Sequence, residues 1–136
     1  MSPKKAKPVP LRRENKLDGV HPDLIKVVKK AAEKYNFVVL EGVRSIERQQ
    51  ELFDTGKSKT MDSKHLLQQD GYGHAVDLAP DPTDWNDREQ FVALGFFVQG
   101  IAYEMGIELR LGTDWDGDLN IKEHSFFDGP HMELKL

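Results

Sequence analysis

Three short segments of the chain offer side chains that can bind a divalent metal. They are Ser63-Lys-His65, Gly73-His-Ala-Val-Asp77 and Asp128-Gly-Pro-His131. Catalytic zinc sites commonly use three protein ligands of the histidine and carboxylate types and leave one position for water. Such a metal lowers the pKa of water to about 7 and polarises a carbonyl group. The chemistry that these segments suggest is therefore metal-assisted hydrolysis.

Few other ligand sets are available. The chain has no cysteine and five histidines, so a metal site must be built from histidine, aspartate or glutamate. Strand geometry then separates two candidate partners for Asp77. If residues 73–79 are extended, Ala75, Asp77 and Ala79 share one face, and His74 lies on the other. We therefore expect His65, Asp77 and His131 to be the ligands, with His74 in place of His65 as the alternative.

A general base is expected close to the metal. Asp128 lies three residues before His131, across a Gly-Pro turn that can fold its carboxylate back towards the metal. A carboxylate there could take a proton from water and pass it to the leaving amine. Glu133 is the rival, since it shares the face of His131 at strand spacing, and it could instead hold the His131 ring from behind.

Arg44 lies where a predicted strand passes into a predicted helix. A guanidinium at that point could stabilise an oxyanion or hold a substrate carboxylate through two hydrogen bonds. The alternative is a weak surface ion pair with Glu41 or Glu47.

Acidic residues alternate after the last predicted helix, as at the start of a calcium-binding loop. The offsets fail further along, because the sixth position is Leu119 rather than glycine and the twelfth is Ser125 rather than glutamate. A solvated acidic loop is favoured, with a weak Ca²⁺ site at Asp114, Asp116 and Asp118 as the alternative.

The elements that would position these residues follow from hydrophobic spacing. Helices are predicted from Pro22 to about Tyr35, from Ser45 as N-cap to Phe53, and from about Asn86 to Met105; strands are predicted at 37–40, 74–79, 107–111 and 131–134. The first predicted element is a helix, and the other helices lie between short strands. This order predicts an α+β domain with a small, mostly antiparallel sheet and helices packed on it. Trp85 and Trp115 are expected to be packing residues, although Trp115 could border the cleft.

Composition limits the number of domains and the classes of binding partner. The chain has 136 residues, a formal net charge of -4 and 31% charged residues, which suits one domain over residues 17–136 and argues against a nucleic-acid surface. No apolar run approaches the roughly 18 residues that span a bilayer, so no membrane insertion is expected. Residues 1–16 are basic and proline-bearing, without the apolar core of a signal peptide, and are predicted to be a flexible tail.

Taken together, these segments resemble the D-Ala-D-Ala carboxypeptidase family of zinc peptidases, which shares its site plan with lysostaphin-type endopeptidases and the zinc domain of hedgehog proteins. The family signature is S-x-H, then G-x-A-x-D, and much later a carboxylate three residues before a second histidine. The stretches 41–49, 112–115 and 127–134 are also similar, and the resemblance runs from about Val20 to Leu134. Within the family, the chain most resembles small phage endolysins that act as L-alanyl-D-glutamate peptidases.

The resemblance implies a function and a role for each residue. His65, Asp77 and His131 would bind Zn²⁺, Asp128 would be the general base, Arg44 would stabilise the oxyanion, and Ser63 would help to position substrate. The substrate would be the peptidoglycan stem peptide, cut between L-Ala and D-Glu to lyse a bacterial host. A monomer is expected, held in the host cytoplasm until a holin releases it.

One departure and two rival functions stay open. The stretch Leu67–Tyr72 lengthens the gap between His65 and Gly73, where many family members have only a few residues. It could bulge outward and leave the ligands in place, or it could let His74 replace His65. A D-Ala-D-Ala carboxypeptidase would share the same site, and a zinc-containing cell-wall binding module without activity is the rival from another class.

Overall fold

The computed structural model describes residues 11–119 and 128–135. Within these ranges the chain forms a short 3₁₀ helix, three α-helices and four strands. In chain order they are the 3₁₀ helix Glu14–Leu17, α1 Pro22–Ala32, β1 Phe37–Glu41, α2 Ile46–Asp54, β2 Ala75–Pro80, α3 Arg88–Glu104, β3 Leu109–Leu111 and β4 His131–Leu134.

The strands form one antiparallel sheet in the order β1-β2-β4-β3. Because side chains alternate along a strand, the sheet has two faces of different character. One face carries the apolar side chains Phe37, Val39, Val76, Leu78, Leu109, Leu111, Met132 and Leu134, which belong to the main core. The other carries Asp77, Arg110, His131 and Glu133, and this second face positions the site.

Helices α1 and α3 complete the core on the apolar face. Leu24, Val27 and Val28 of α1 are fully buried, as are Leu94 and Val98 of α3. Each buried side chain of this size contributes about 1.5–3 kcal/mol to the free energy of folding. This packing gives the sheet a rigid backing, so that the polar side chains on its opposite face are held in fixed positions.

The predicted α+β fold with a small antiparallel sheet is confirmed. The side chain of Ser45 caps α2 by accepting a hydrogen bond from the Arg48 N–H, as its type and position predict. Helix α1 ends at Ala32, three residues before the predicted end, and β3 begins at Leu109 rather than at residue 107. Among the described residues, no helix is both long and apolar enough to cross a bilayer.

The described part of the predicted tail, residues 11–16, contacts the sheet. The Val39 N–H donates to the carbonyl of Arg12 at 3.2 Å, and the Arg12 guanidinium lies 2.9 Å from the Asp81 carboxylate. The boundary between tail and domain at residue 16 stays a prediction.

Candidate active site

Sheet register brings two of the three predicted ligands together. Asp77 of β2 pairs directly with His131 of β4, and the Asp77 Oδ1 atom lies 3.4 Å from His131 Nδ1. His65 reaches the same carboxylate from the loop before β2, with its Nε2 atom 3.1 Å from Asp77 Oδ1. One ligand atom from each of the three residues lies within 4.8 Å of the others. The structure therefore assembles the predicted group, which could hold a metal ion.

The ring of His65 is fixed by a backbone carbonyl. Its Nδ1 atom lies 2.8 Å from the carbonyl oxygen of Gly42, a contact that requires Nδ1 to carry the proton. Gly42 is needed there because an added Cβ would lie 2.0 Å from the carbonyl oxygen of Lys16. In the neutral ring, Nε2 then presents a lone pair to Asp77.

The ring of His131 is fixed by a carboxylate. Its Nε2 atom lies 2.8 Å from Glu133 Oε1, so the Nδ1 atom is the one that faces Asp77. Glu133 thus holds His131 from behind, which matches the second of the two roles considered for it. Burial alone would raise the pKa of Glu133, but the hydrogen bond from His131 outweighs it and lowers that pKa.

This donor set fits a cation. With both rings held at their far nitrogens, two imidazole lone pairs and one carboxylate converge, and such an arrangement needs positive charge at its centre. Burial by itself would lower the pKa of His131, yet hydrogen bonds to Asp77 and Glu133 raise it to about 9. Burial would raise the pKa of Asp77, but hydrogen bonds to both histidines hold it well below its usual range. A proton on His131 is one way to supply that charge, and a divalent metal bound by the two lone pairs and the carboxylate is another.

Asp128 borders the same group. The Asp128 N–H donates to the carbonyl of Gly112 at 2.9 Å, and the Asp128 carbonyl accepts from the His131 N–H at 3.1 Å. A Cβ on Gly112 would lie 2.1 Å from the Asp128 carbonyl oxygen, so this close approach requires glycine. Burial raises the pKa of the Asp128 carboxyl, and the nearby charge of Asp77 raises it further.

Arg44 is held within the cleft wall, with its side chain 10% exposed. Its Nε and Nη2 atoms donate to the two Glu41 carboxylate oxygens at 3.0 and 2.6 Å, and Nη1 donates to Gln49 Oε1 at 2.6 Å. The pairing with Glu41 was considered at the sequence level as a surface contact, whereas here it is largely buried. These contacts use three of the five guanidinium N–H groups.

A cleft of about 570 Å³ joins these side chains. Ser63 lines it, and the Ser63 hydroxyl accepts a hydrogen bond from the His65 N–H at 3.1 Å, which shapes the loop that delivers the His65 ring. Trp115 also lines the cleft, with its ring centroid 5.3 Å from that of His131, whereas Trp85 stacks on Phe91 instead.

The other candidate ligand, His74, faces away from this group. Its Nε2 atom lies 2.8 Å from an Asp70 carboxylate oxygen, and the same oxygen lies 3.8 Å from His21 Nε2. His21 therefore has a carboxylate neighbour that its sequence spacing did not reveal. The longer loop folds on itself, with a hydrogen bond from the Gln68 N–H to the Tyr72 carbonyl, and His65 keeps its place beside Asp77.

The acidic loop brings the carboxylates of Asp114, Asp116 and Asp118 within 4.8 Å of one another. Asp114 is buried, and one of its oxygens accepts from the Leu119 N–H at 2.9 Å. Ser125, the twelfth position in the comparison with a calcium-binding loop, lies outside the described residues.

Comparison with known proteins identifies the group of enzymes to which this architecture belongs. The sequence profile described as phage L-alanyl-D-glutamate peptidase matches residues 8–135. The chain belongs to this family. The predicted membership is thereby confirmed, together with the predicted enzyme class, a peptidoglycan peptidase of the phage endolysin type.

Individual members and neighbours agree with the family assignment. The L-alanyl-D-glutamate peptidase of Escherichia phage T5 is 35% identical over 132 residues, which cover 89% of this chain and 93% of that protein. The crystal structure of the L-Ala D-Glu endopeptidase ChiX from Serratia marcescens has a TM-score of 0.72 and 36% identity, over 91% of this chain and 86% of ChiX. The LD-carboxypeptidase LdcB, at a TM-score of 0.53 and 20% identity, shares the fold over 98% of this chain and 69% of its own.

Sequence reasoning missed two contributors to this peptidase site. The Gly42 carbonyl that holds His65 is 23 residues away along the chain, and no local pattern indicates the contact. Gln49 is fully buried in α2, although it follows two charged residues and precedes the exposed Gln50. Its spacing of three residues from the half-buried Leu52 is the available signal, and that spacing marks an inward face without indicating a contact with Arg44.

Proposed function

We propose that this chain is a zinc metallopeptidase that hydrolyses the L-Ala–D-Glu bond of peptidoglycan stem peptides and so lyses a bacterial host. The observation that carries the proposal is the convergence of His65 Nε2, Asp77 Oδ1 and His131 Nδ1 beside an open cleft. Family membership supplies the expected substrate, and the donor set supplies the expected metal, since histidine and carboxylate ligands suit zinc.

The residues of the site have separate tasks in this proposal. His65, Asp77 and His131 would hold the zinc ion, which when bound would polarise the scissile carbonyl and acidify a water molecule. Asp128 takes the proton from the attacking water and gives it to the leaving amine as the C–N bond breaks. Its raised pKa suits this role because the protonated form is then easier to reach.

Arg44 acts on the developing negative charge. Its two remaining N–H groups are available to the carbonyl oxygen that becomes the oxyanion, while Glu41 and Gln49 fix the plane of the guanidinium. Fixed donors of this kind stabilise a transition state without reorganising during the reaction. Ser63 lines the cleft and is proposed to help position the substrate.

Two lysines that line the cleft, Lys57 and Lys59, suit an acidic peptide. Acidic side chains line the cleft as well, and the cationic Arg48 and Arg110 are each paired with a glutamate. Among the described residues, neither Lys57 nor Lys59 has an ion-pair partner. A D-glutamyl residue after the cut bond carries a carboxylate that these lysines can attract.

The proposal also covers the setting of the reaction. A monomer would wait in the host cytoplasm, and a holin would give it access to the cell wall. A weak Ca²⁺ site at Asp114, Asp116 and Asp118 stays a separate hypothesis from spacing, and titration of Ca²⁺ into the purified protein tests it.

The experiment that tests the proposal is digestion of purified peptidoglycan, read by mass spectrometry. We expect products with new N-terminal D-Glu, loss of activity after chelation, and recovery on adding Zn²⁺. Release of D-Ala instead would favour the carboxypeptidase, and zinc binding without turnover on any peptidoglycan would favour the binding module. Full activity of the chelated protein would contradict the metal requirement.

A further inference from the structure

A buried amide in α2 links Arg44 to Ser58 and Thr60, which also line the cleft. Gln49 is fully buried, which is unusual for a glutamine on a helix with a polar sequence. Its Oε1 atom accepts from Arg44 Nη1 at 2.6 Å, and its Nε2 atom donates to Ser58 Oγ at 2.8 Å and to the Thr60 carbonyl at 2.7 Å. All the hydrogens of the amide are thus used, which fixes which end of it faces Arg44.

The segment that Gln49 reaches has few other attachments. Residues 57 and 58 are tied to the end of α2 by hydrogen bonds from their N–H groups to the Leu52 carbonyl. For residues 59–62, the hydrogen bonds to other described residues all involve Thr60, which bonds to the nearby Ser58 hydroxyl and to the Gln49 amide. This segment lines the cleft through Lys59, Thr60 and Asp62.

Arg44 depends on the same amide. Glu41 holds the Nε and Nη2 side of the guanidinium, and Gln49 holds the Nη1 side. With one of the two removed, the guanidinium can rotate about the remaining contact, and its free N–H groups lose their direction. A misplacement of such a group by about 1 Å can lower the rate of an enzyme about a hundredfold.

We propose that Gln49 is a positioning residue that sets two parts of the active site with one amide. Its carbonyl oxygen aims Arg44 at the developing oxyanion, and its NH₂ group holds the 59–62 segment against the substrate. The inference rests on the proposed function, because it deepens the role given there to Arg44. The two halves of the amide predict different kinetic effects, since oxyanion stabilisation acts on kcat and the cleft wall acts on KM.

Substitutions can separate the two halves. Gln49→Leu removes both contacts, and we expect kcat to fall about tenfold or more and KM to rise severalfold. Gln49→Glu keeps an acceptor for Arg44 but lacks the NH₂ donor, so kcat should return to within about threefold of the wild type while KM stays raised. Gln50→Leu is the matched control, because this neighbouring side chain is exposed and bonds to Asp54 outside the cleft.

A double-mutant cycle shows whether Gln49 acts through Arg44. Arg44→Ala should lower kcat, and adding Gln49→Leu to it should lower kcat little further. If the two residues acted independently, their fold-losses in kcat would multiply. Zinc content and the unfolding midpoint, measured for every variant, separate this from loss of fold. If Gln49→Leu does not fold, Gln49→Asn replaces it, since the shorter amide cannot reach both partners.

Different experimental results would overturn the role of Gln49, the role of Arg44 and the proposed function. Wild-type kcat in folded Gln49→Leu, multiplicative losses in the double mutant, or equal kcat losses in Gln49→Leu and Gln49→Glu would overturn the positioning role. An Arg44→Ala variant with wild-type kcat would overturn the proposed role of Arg44 itself. A wild-type protein that does not cut the L-Ala–D-Glu bond would overturn the proposed function.

Discussion

Asp128 and Glu133 are carboxylates on either side of the start of β4, three residues before and two residues after His131, and the structure gives them different neighbours. Glu133 bonds to the far nitrogen of His131, so it is occupied in orienting the ring. Asp128 lines the cleft, and burial beside Asp77 raises its pKa. Two carboxylates whose surroundings move their pKa values apart are suited to separate roles, one structural and one in proton transfer.

Replacing Asp128 tests the proton-transfer role directly. We expect Asp128→Asn to bind zinc as the wild type does and to lose about 10²–10⁴ in kcat, because the amide cannot accept a proton. Rates on peptidoglycan and zinc content measure the two effects. Asp84→Asn, on the exposed surface before α3, is the control. Undiminished turnover by Asp128→Asn would remove this residue from the mechanism.

At the scale of elements, backbone contacts between distant segments place the histidines. Residue 42 follows β1, and its carbonyl holds the His65 ring only because glycine lets the chain pass the Lys16 carbonyl. Gly112 plays the corresponding part after β3, where it lets the backbone of Asp128 approach. The site geometry thus depends on two glycines that bear no functional group.

Gly42→Ala should weaken metal binding at the proposed site. The added methyl would push the strand end away from Lys16 and move the carbonyl from His65, and we expect a lower zinc affinity by about tenfold or more. Titration of zinc against a competing chelator measures this. Gly100→Ala is the matched control, since no atom lies within 4 Å of its added Cβ in α3, and it should be neutral or stabilising by about 0.5–1 kcal/mol. Equal zinc affinity in Gly42→Ala would show that this carbonyl does not position the ring.

The lengthened loop is tied to the domain by the Asp70 carboxylate. The hydrogen bond from His74 lowers the pKa of Asp70. Because the folded pKa is lowered, the contact stabilises the fold above the ordinary value of 3.8 and is lost as the pH falls through the lower folded pKa. Asp70→Asn should therefore lower the melting temperature at neutral pH, with the difference vanishing in acid. A difference that is the same at every pH would contradict a contribution from the charge.

The main elements and the candidate ligand set could be predicted from the sequence, for different physical reasons. Alternation along β2 separated His74 from Asp77, and the structure bears out that separation because each strand position has a fixed face. The strand order and the register of Asp77 with His131 depend on packing across the whole domain, which no local pattern encodes. Gln49 was missed for the same reason, since its partners Ser58 and Thr60 meet it only in the folded chain.

For the molecule as a whole, the net charge does not describe the local charge at the cleft. The chain carries a formal net charge of -4, yet Lys57 and Lys59 both line the cleft. These two positive charges would draw in a substrate that carries carboxylates, despite the overall negative charge. Association of this kind weakens as salt screens the charges.

Neutralising the two lysines should affect binding more than chemistry. We expect Lys57→Gln/Lys59→Gln to raise KM severalfold, to leave kcat within about twofold, and to reduce the salt dependence of kcat/KM. Lys26→Gln/Lys34→Gln, on the exposed side of the α1 region, removes the same charge away from the cleft as a control. Equal effects of the two double variants would show that only net charge matters.

A crystal structure of the zinc-loaded protein, with anomalous scattering recorded at the zinc edge, would show directly which side chains bind the metal. We expect one strong peak about 2.0–2.2 Å from His65 Nε2, Asp77 Oδ1 and His131 Nδ1, with His74 still paired to Asp70. A peak bound by His74, or none between the two predicted histidines, would contradict this ligand set.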